Sequence, residues 1–268
     1  MPGPSPTVSV IMNCLNAEPY LREAMDSVVA QTYSDWEIIF WDNASQDNSG
    51  AIAKSYGERV RCFKGDATVP LGQARNLAIA EAKGRYLAIL DCDDVWLPEK
   101  LERQVAMLER DQALGLVFSD CHFMDSSGTF QGTFFRRVPP PAGDPYLALL
   151  SGPNFIPGPT VVMRADAVRK VGAYNPAYRY VESYELFVRL ARAYRVASLN
   201  EPLARYRIHG ANQAGAGHAG MTGELMEVIR AEATQAGSPA QSARWAIGKR
   251  LLALRCKITL QRWFQPHN

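Results

Sequence analysis

The sequence predicts an α/β protein built on a doubly wound, mainly parallel sheet. Three observations carry this. Short apolar runs of strand length alternate with segments whose apolar residues recur at helical spacing. The connections between them are short. Polar loops, two of them acidic, follow the apolar runs, where open α/β sheets gather their ligands. With 268 residues, 47% of them hydrophobic, the chain can bury one sizeable domain and carry an appendage.

In chain order, Val8-Ser9-Val10-Ile11-Met12 reads as a buried parallel strand, ended by Asn13-Cys14-Leu15-Asn16. Leu21, Ala24, Met25, Val28 and Val29 predict a helix over 17–31. Trp36 to Trp41 forms a second strand, followed by the polar loop 42–49 and a short helix through Lys54. Asp42 stands at that strand's carboxyl end. Val60 to Phe63 is a third strand, and Pro70 opens a helix that ends at Lys83-Gly84. Arg75 falls in its first turn, where a guanidinium beside free backbone N–H groups suits a phosphate or diphosphate.

The chain is organised around Leu87-Ala88-Ile89-Leu90-Asp91-Cys92-Asp93-Asp94-Val95-Trp96, an apolar strand running into three carboxylates and then the helix start Leu97-Pro98-Glu99-Lys100. Clustered like charges repel and resist burial unless a cation or donors compensate them. If strand alternation persists, Asp91 and Asp93 project to one side. One can then face a ligand hydroxyl while the other reaches a hard cation, Mg²⁺ or Mn²⁺. Asp93 or Asp94 is expected to cap the helix near Pro98. No Gly-x-Gly-x-x-Gly follows the first strand and no Walker lysine motif occurs, which argues against dinucleotide oxidoreduction and ATP hydrolysis.

Leu116 to Ser119 predicts a further strand, and Phe123 to Phe135 a hairpin about Asp125-Ser126-Ser127-Gly128. The Pro- and Gly-rich stretch Ser151 to Thr160 is irregular, either the wall of a pocket or a rigid connector. Thr160 to Arg164 is a strand, and Ala165 to Val171 a short helix stopped by Gly172. Val181 to Ala191 is an amphipathic helix with Glu182 at its start; Ser183 as its N-cap is the simpler reading.

After Gly220 the composition changes. Met221 to Thr234 is a helix, and Ser238 to Gln265 a second one with Arg244, Lys249, Arg250, Arg255, Lys257 and Arg262 but no acid. Ile247, Leu251, Leu254 and Ile258 form a stripe, and Trp245, Leu252 and Trp263 a second patch. Basic residues beside an apolar stripe suit an anionic membrane surface. Packing on the protein's own domain or on a second subunit remains the alternative.

A net charge of +2 does not suggest a nucleic-acid partner. Five cysteines without a Cys-x-x-Cys pair predict reduced thiols rather than a disulfide framework or zinc site. No run approaches the ~20 apolar residues of a membrane span, and Met1 to Pro6 lacks the features of a signal peptide. The expectation is a cytoplasmic protein, peripheral on the inner face of the plasma membrane if the basic helix meets lipid.

Five motifs occur in order: Val8 to Asn16, Trp41-Asp42-Asn43-Ala44-Ser45-Gln46-Asp47, Gly72-Gln73-Ala74-Arg75-Asn76, Leu90-Asp91-Cys92-Asp93-Asp94, and Tyr206-Arg207-Ile208-His209-Gly210-Ala211-Asn212. In that order they resemble a family 2 glycosyltransferase of the GT-A fold. The resemblance implies a GT-A domain over 1–220, with a nucleotide-binding half (1–115) and a smaller acceptor half (116–220), and a C-terminal helical appendage (221–268). It implies that Asn13 and Asp42 contact the base and ribose, Arg75 the base or phosphate side, and Asp91 the ribose. Asp93 would hold Mg²⁺ or Mn²⁺ on the diphosphate and His209 would be a further metal or diphosphate contact. Asp94 is either a metal ligand or a cap. The segment from Gly210 to Gly220, with His218, is expected to order over bound donor.

The family carries an adjacent Glu-Asp pair, one acid of which acts as general base. Here the pair reads Glu182-Ser183. Glu182 is therefore the first candidate base and Glu185, one turn on, the second. The implied reaction is inverting transfer from a UDP- or dTDP-sugar to a hydroxyl of a sugar or lipid-linked glycan, in surface polysaccharide or glycolipid synthesis. Two rival readings stay open. One is a non-catalytic nucleotide-sugar-binding module, because the acidic pair is broken. The other is a sugar-1-phosphate nucleotidyltransferase, although Asn13 to Glu18 does not resemble the Gly-rich basic loop of such enzymes.

Overall fold

A computed structural model describes residues 5–210, 219–235 and 239–263. In chain order the elements are β1 (Val8–Cys14), α1 (Glu18–Val29), β2 (Trp36–Asp42), α2 (Ser49–Lys54), β3 (Val60–Lys64), α3 (Leu71–Glu81), β4 (Tyr86–Ile89), β5 (Val95–Trp96) and α4 (Lys100–Arg110). There follow β6 (Leu114–Asp125), β7 (Phe130–Thr133), α5 (Phe134–Arg137), α6 (Pro145–Ser151), β8 (Val162–Arg164), α7 (Ala165–Val171), α8 (Glu182–Ala193), β9 (Arg195–Ile208), α9 (Ala219–Thr234) and α10 (Arg244–Trp263). One mixed sheet runs β3-β2-β1-β4-β8-β6-β9-β5, with β7 on β6.

The first half is the predicted parallel unit: β1 pairs in parallel with β2 and β4, and β2 with β3. Side-chain alternation divides its core. Ile11, Ile39, Leu87 and Ile89 face α3, α7 and α8, while Val10, Met12, Ile38, Phe40 and Ala88 face α1 and α4. Because both faces are covered, β1 and β2 read as near-continuous apolar runs. β8 then enters antiparallel between β4 and β6, and β9 returns parallel to β6.

Several expectations are corrected. The organising strand stops at Ile89, so Asp91 to Asp94 lie in a turn, in which the Asp94 N–H donates to the Asp91 carbonyl at 3.1 Å. Val95 and Trp96 form a short strand antiparallel to β9, a long-range pairing with no local signal. α4 begins at Lys100 with Glu99 at its N-cap position, so neither Asp93 nor Asp94 caps it. α3 begins at Leu71, which moves Arg75 into the second turn. Gly84 is not a helix stop: a Cβ there would lie 2.4 Å from the Ser9 amide nitrogen, so the glycine lets the chain pass β1. Gly172 is a left-handed C-cap (φ 96°), as predicted. α6 adds to the predicted elements; Asp144 caps it by accepting the Tyr146 and Leu147 N–H groups.

The C-terminal helices share the main core. Val228, Ile229, Ala240 and Ile247 are buried in the same cluster as Phe187 and Leu190, with Leu251 and Leu254 packed against it. The stripe that suited a membrane thus seats α10 on the protein's own domain. Trp245 and Leu252 remain exposed on the outer side. No described helix is long and apolar enough to cross a membrane. The segment 211–218, including Asn212 and His218, lies outside the described residues, as do the side chains of Ile258, Arg262 and Trp263.

Candidate active site

The carboxyl ends of β1 and β4 open into a cavity of 1110 Å³, closed on the other sides by α8, the 153–159 loop, α9 and α10. A single small-molecule site typically occupies about 300–1,000 Å³. This volume leaves room for more than one substrate.

Asn13, on β1, lines the cavity, and both polar atoms of its side-chain amide are buried without a partner among the described residues. Its backbone carbonyl accepts from the Cys92 thiol at 3.3 Å. A buried amide with free donor and acceptor is costly unless a ligand satisfies it. The loops after β1 and β2 interlock beside it: the Ser45 hydroxyl accepts the Asn16 N–H at 3.0 Å, and Asn16 Oδ1 accepts the Gln46 N–H at 2.9 Å. Asp42 belongs to this scaffold. It is buried, its Oδ1 accepts the Ser45 N–H at 2.7 Å, its Oδ2 lies 3.9 Å from Lys64 Nζ, and it is not among the residues lining the cavity.

Arg75 ties the two halves together. Its Nη2 donates to Asp91 Oδ1 at 2.7 Å, and its Nη1 donates to Glu182 Oε1 at 3.0 Å and to the Ser183 hydroxyl at 2.8 Å. Burial works to lower the guanidinium's pKa, but Asp91 and Glu182 raise it. Arg75 therefore sits among carboxylates rather than beside the helix-start N–H groups. Gly72 allows this: a Cβ there would lie 3.3 Å from Glu182 Cβ, so the glycine brings α3 against the start of α8. Asn76 fixes the same contact, donating to the Tyr174 carbonyl at 2.7 Å and accepting the Tyr174 N–H at 2.9 Å.

Glu182 lines the cavity from the first turn of α8. Burial pushes its carboxyl up from the ordinary value, against the pull of Arg75. Glu185 also lies in that turn but is not among the lining residues; its two oxygens accept from Arg189 at 2.6 and 2.7 Å. Val181, not Ser183, occupies the N-cap position.

Asp93 Oδ2 and His209 Nε2 are 2.8 Å apart, joining the acid turn to the end of β9. The His209 ring stacks on Tyr20 at 5.2 Å, and the Arg207 guanidinium lies 4.7 Å from the Tyr20 ring centre while pairing with Glu23 at 2.5 Å. Burial, then Asp91, raises the Asp93 carboxyl, with His209 opposing. Among the described residues no three His, Cys, Asp or Glu side chains converge to hold a metal unaided. A carboxylate and an imidazole beside a second carboxylate still fit a divalent cation whose remaining ligands come from phosphate oxygens and water, the usual habit of Mg²⁺. Asp94 is fully buried, and its Oδ1 accepts the Arg207 N–H at 2.8 Å, which pins the acid turn to β9. It does not line the cavity.

The structure thus brings Asn13, Arg75, Asp91, Asp93, Glu182 and His209 to one cavity and holds Asp42, Asp94 and Glu185 behind its walls. Sequence reasoning missed Tyr20, whose ring supports His209, and the inward turn of Arg250 from α10. The Pro-rich loop lines the cavity through Pro153, Asn154, Ile156, Pro157, Gly158 and Pro159. Trp96 Nε1 anchors it by donating to the Pro159 carbonyl at 2.8 Å.

Comparison with known proteins agrees with this geometry. The profile of the family described as Glycosyl transferase family 2 matches residues 9–172. The chain is 32% identical over 209 residues to EpsE of Bacillus subtilis, a glycosyltransferase by name, covering 75% of this chain and 73% of that protein. An uncharacterized glycosyltransferase of Rickettsia typhi is 30% identical over 211 residues, covering 77% of this chain and 65% of that one. Among solved structures, S. aureus TarS 1–349 in complex with UDP-GlcNAc superposes with a TM-score of 0.69 at 17% identity, covering 88% of this chain and 69% of that one. A mannosyltransferase of Pyrobaculum calidifontis in complex with GDP-Man and Mn²⁺ gives 0.63 at 17% identity, covering 98% and 86%.

Proposed function

Because the chain belongs to glycosyltransferase family 2 and has the GT-A fold, we propose that its cavity binds a nucleoside-diphosphate sugar and transfers the sugar with inversion to an acceptor hydroxyl. The observation that carries this reading is the cavity wall formed by Asn13, Asp91, Asp93 and His209. An unsatisfied amide for a base and carboxylates for a ribose and a diphosphate-bound cation stand along one edge.

In this reading Asn13 pairs with the base and Asp91, held by Arg75, accepts from a ribose hydroxyl. Asp93 and His209 are the residues that would hold Mg²⁺ or Mn²⁺ at the diphosphate. The cation, when bound, offsets the negative charge that builds on the departing nucleoside diphosphate. Glu182 accepts the proton of the acceptor hydroxyl as that oxygen attacks the anomeric carbon from the face opposite the leaving group. Arg75 opposes the effect of burial on the Glu182 carboxyl and fixes its direction. Asp42, Asp94 and Glu185 serve as supports: Asp42 holds the loop after β2 that interlocks with the loop after β1, Asp94 holds the turn that carries Asp93, and Glu185 anchors α8 through Arg189. The acceptor is a sugar or lipid-linked glycan of a surface polysaccharide or glycolipid pathway. The complexes of TarS with UDP-GlcNAc and of the Pyrobaculum enzyme with GDP-Man and Mn²⁺ make uridine and guanosine diphosphates the donors to try first, with dTDP third.

Calorimetric titration of UDP, dTDP and GDP, each with Mn²⁺ and again with chelator, tests the donor site. One nucleotide is expected to bind only with metal, and Asp93→Ala is expected to abolish that binding. Failure of all three to bind overturns the reading. Ser183 in place of the family's second acid supports one alternative, a binding module without turnover. Metal-dependent donor binding with neither hydrolysis nor transfer over a panel of glycan acceptors would establish it.

A further inference from the structure

We propose that Arg250 is the anion-reading residue of the acceptor part of the cavity, and that the acceptor joins an anionic group to an apolar stem. The proposal rests on the glycosyltransferase reading and names the substrate class of that site.

The charge inventory of the cavity is uneven. Arg75 is spent on Asp91 and Glu182, and Asp93 is bonded to His209. Arg250 is the remaining lining cation, and it has no carboxylate within ion-pairing distance among the described residues. It is half-buried and held by neutral groups: Nη1 donates to the Leu149 carbonyl and, at 3.2 Å, to the Tyr184 hydroxyl. Tyr184, two residues past Glu182, donates to the same Leu149 carbonyl at 2.7 Å. The guanidinium also lies 5.7 Å from the Tyr184 ring centre. These contacts engage Nη1 of a side chain that lines the cavity, and the planar guanidinium keeps Nη2 and Nε, a pair suited to two oxygens of a phosphate or carboxylate.

The wall around it is apolar. Ile156, Pro157, Met221, Leu225 and Leu254, from the Pro-rich loop, α9 and α10, belong to the lining of the same cavity, with Leu254 one turn from Arg250. A cation that lines a largely apolar cavity and is held only by neutral groups favours an anionic partner. A ligand with a charged head and an apolar stem satisfies both at once. A neutral glycan satisfies neither.

The test uses the full-length protein and three monomeric probes of equal stem: octyl phosphate, octyl glucuronide and octyl glucoside. UDP with Mn²⁺ and GDP with Mn²⁺ are titrated in parallel. One anionic probe is expected to bind at least tenfold tighter than the neutral glucoside; preference for the phosphate or for the glucuronide identifies the head group. Arg250→Gln should remove that preference, Arg250→Lys should retain most of it, and neither should alter nucleotide binding by more than twofold. Equal binding of all three probes to the unmodified protein overturns the proposal without recourse to a variant. So does an Arg250→Gln protein that keeps the preference, or one that loses nucleotide affinity instead, which would assign Arg250 to the donor diphosphate. If the octyl anions bind through Arg250 while neither nucleotide binds, the donor reading fails and the anion site stands.

Discussion

The Arg75 guanidinium and the Glu182 carboxylate, 107 positions apart in the chain, meet at 3.0 Å inside the cavity wall. The contact joins α3 to the start of α8 and sets a cation against the proposed base. Glu182→Gln keeps the hydrogen bond but cannot take a proton. Transfer is expected to fall by about 10²–10⁴, with donor affinity within twofold of the parent. Steady-state transfer and calorimetric donor titration measure the two separately, and an unchanged rate removes Glu182 from the mechanism.

The same contact sets the pH profile. Burial raises the Glu182 carboxyl and Arg75 holds it down. Only the ionised form accepts a proton, so the rate should rise with pH along a limb centred above the about 4.3 of an ordinary glutamate. Arg75→Gln removes the restraining cation. The limb should then move to higher pH, and a profile that stays put would sever Arg75 from Glu182.

Asp93 and His209 are expected to act together on the diphosphate. Asp93→Ala should abolish metal-dependent nucleotide binding, and His209→Ala should weaken it roughly tenfold, within the range for losing a supporting contact at a metal site. Chelator should mimic the first variant in the parent protein. Equal nucleotide affinity with and without Mn²⁺ would remove metal from the donor site.

Gly72 supplies a test that leaves every polar group in place. An added methyl would press on Glu182 Cβ at 3.3 Å, Glu182 Cγ at 3.4 Å and Tyr174 Cβ at 3.5 Å. Alanine is favoured over glycine by about 1 kcal/mol in a helix, so Gly72→Ala should fold with little change in Tm. Transfer should nonetheless fall about tenfold or more as Glu182 is displaced. Wild-type turnover in that variant would show that the packing of α3 against α8 does not position the base.

Lys100 is fully buried over Trp96, with no hydrogen-bond partner for Nζ among the described residues, and burial pushes its pKa well below the ordinary lysine value. The unfolded chain binds the proton more tightly than the folded one. Stability should therefore rise with pH from the lowered folded pKa to the unfolded value near 10.4 and be reduced below that window. Lys100→Met should flatten the dependence and stabilise the protein at neutral pH by about 1 kcal/mol or more. Denaturant titrations at several pH values read both effects.

The parallel half was legible because buried strands and amphipathic helices write their period locally: β1 to β3 and α1 to α3 fall within a few residues of the predicted spans. What pairs at long range was not. β5 is two residues long and exists because β9 runs beside it, and the acids are a turn because β4 ends at Ile89. Motif residues divided the same way. Asn13, Asp91, Asp93 and His209 reach the cavity, while Asp42 and Asp94 spend their carboxylates on the Ser45 and Arg207 N–H groups, a distinction set by backbone direction. Ile247, Leu251 and Leu254 have the same spacing whether a helix meets lipid or protein, and only the packed structure separates the two.

The link from Asp94 to the Arg207 N–H spans 113 positions, and it orders events at the ribosome. At about 5–20 residues per second, the acid turn emerges roughly 6–23 seconds before the strand that pins it. The nascent parallel half must wait through that interval with Asp93 and Asp94 lacking their later partners, His209 and the Arg207 N–H. The donor end of the cavity therefore closes late, and the wall that holds Arg250 later still. A chain stalled before β9 would hold a nearly complete sheet and no working site.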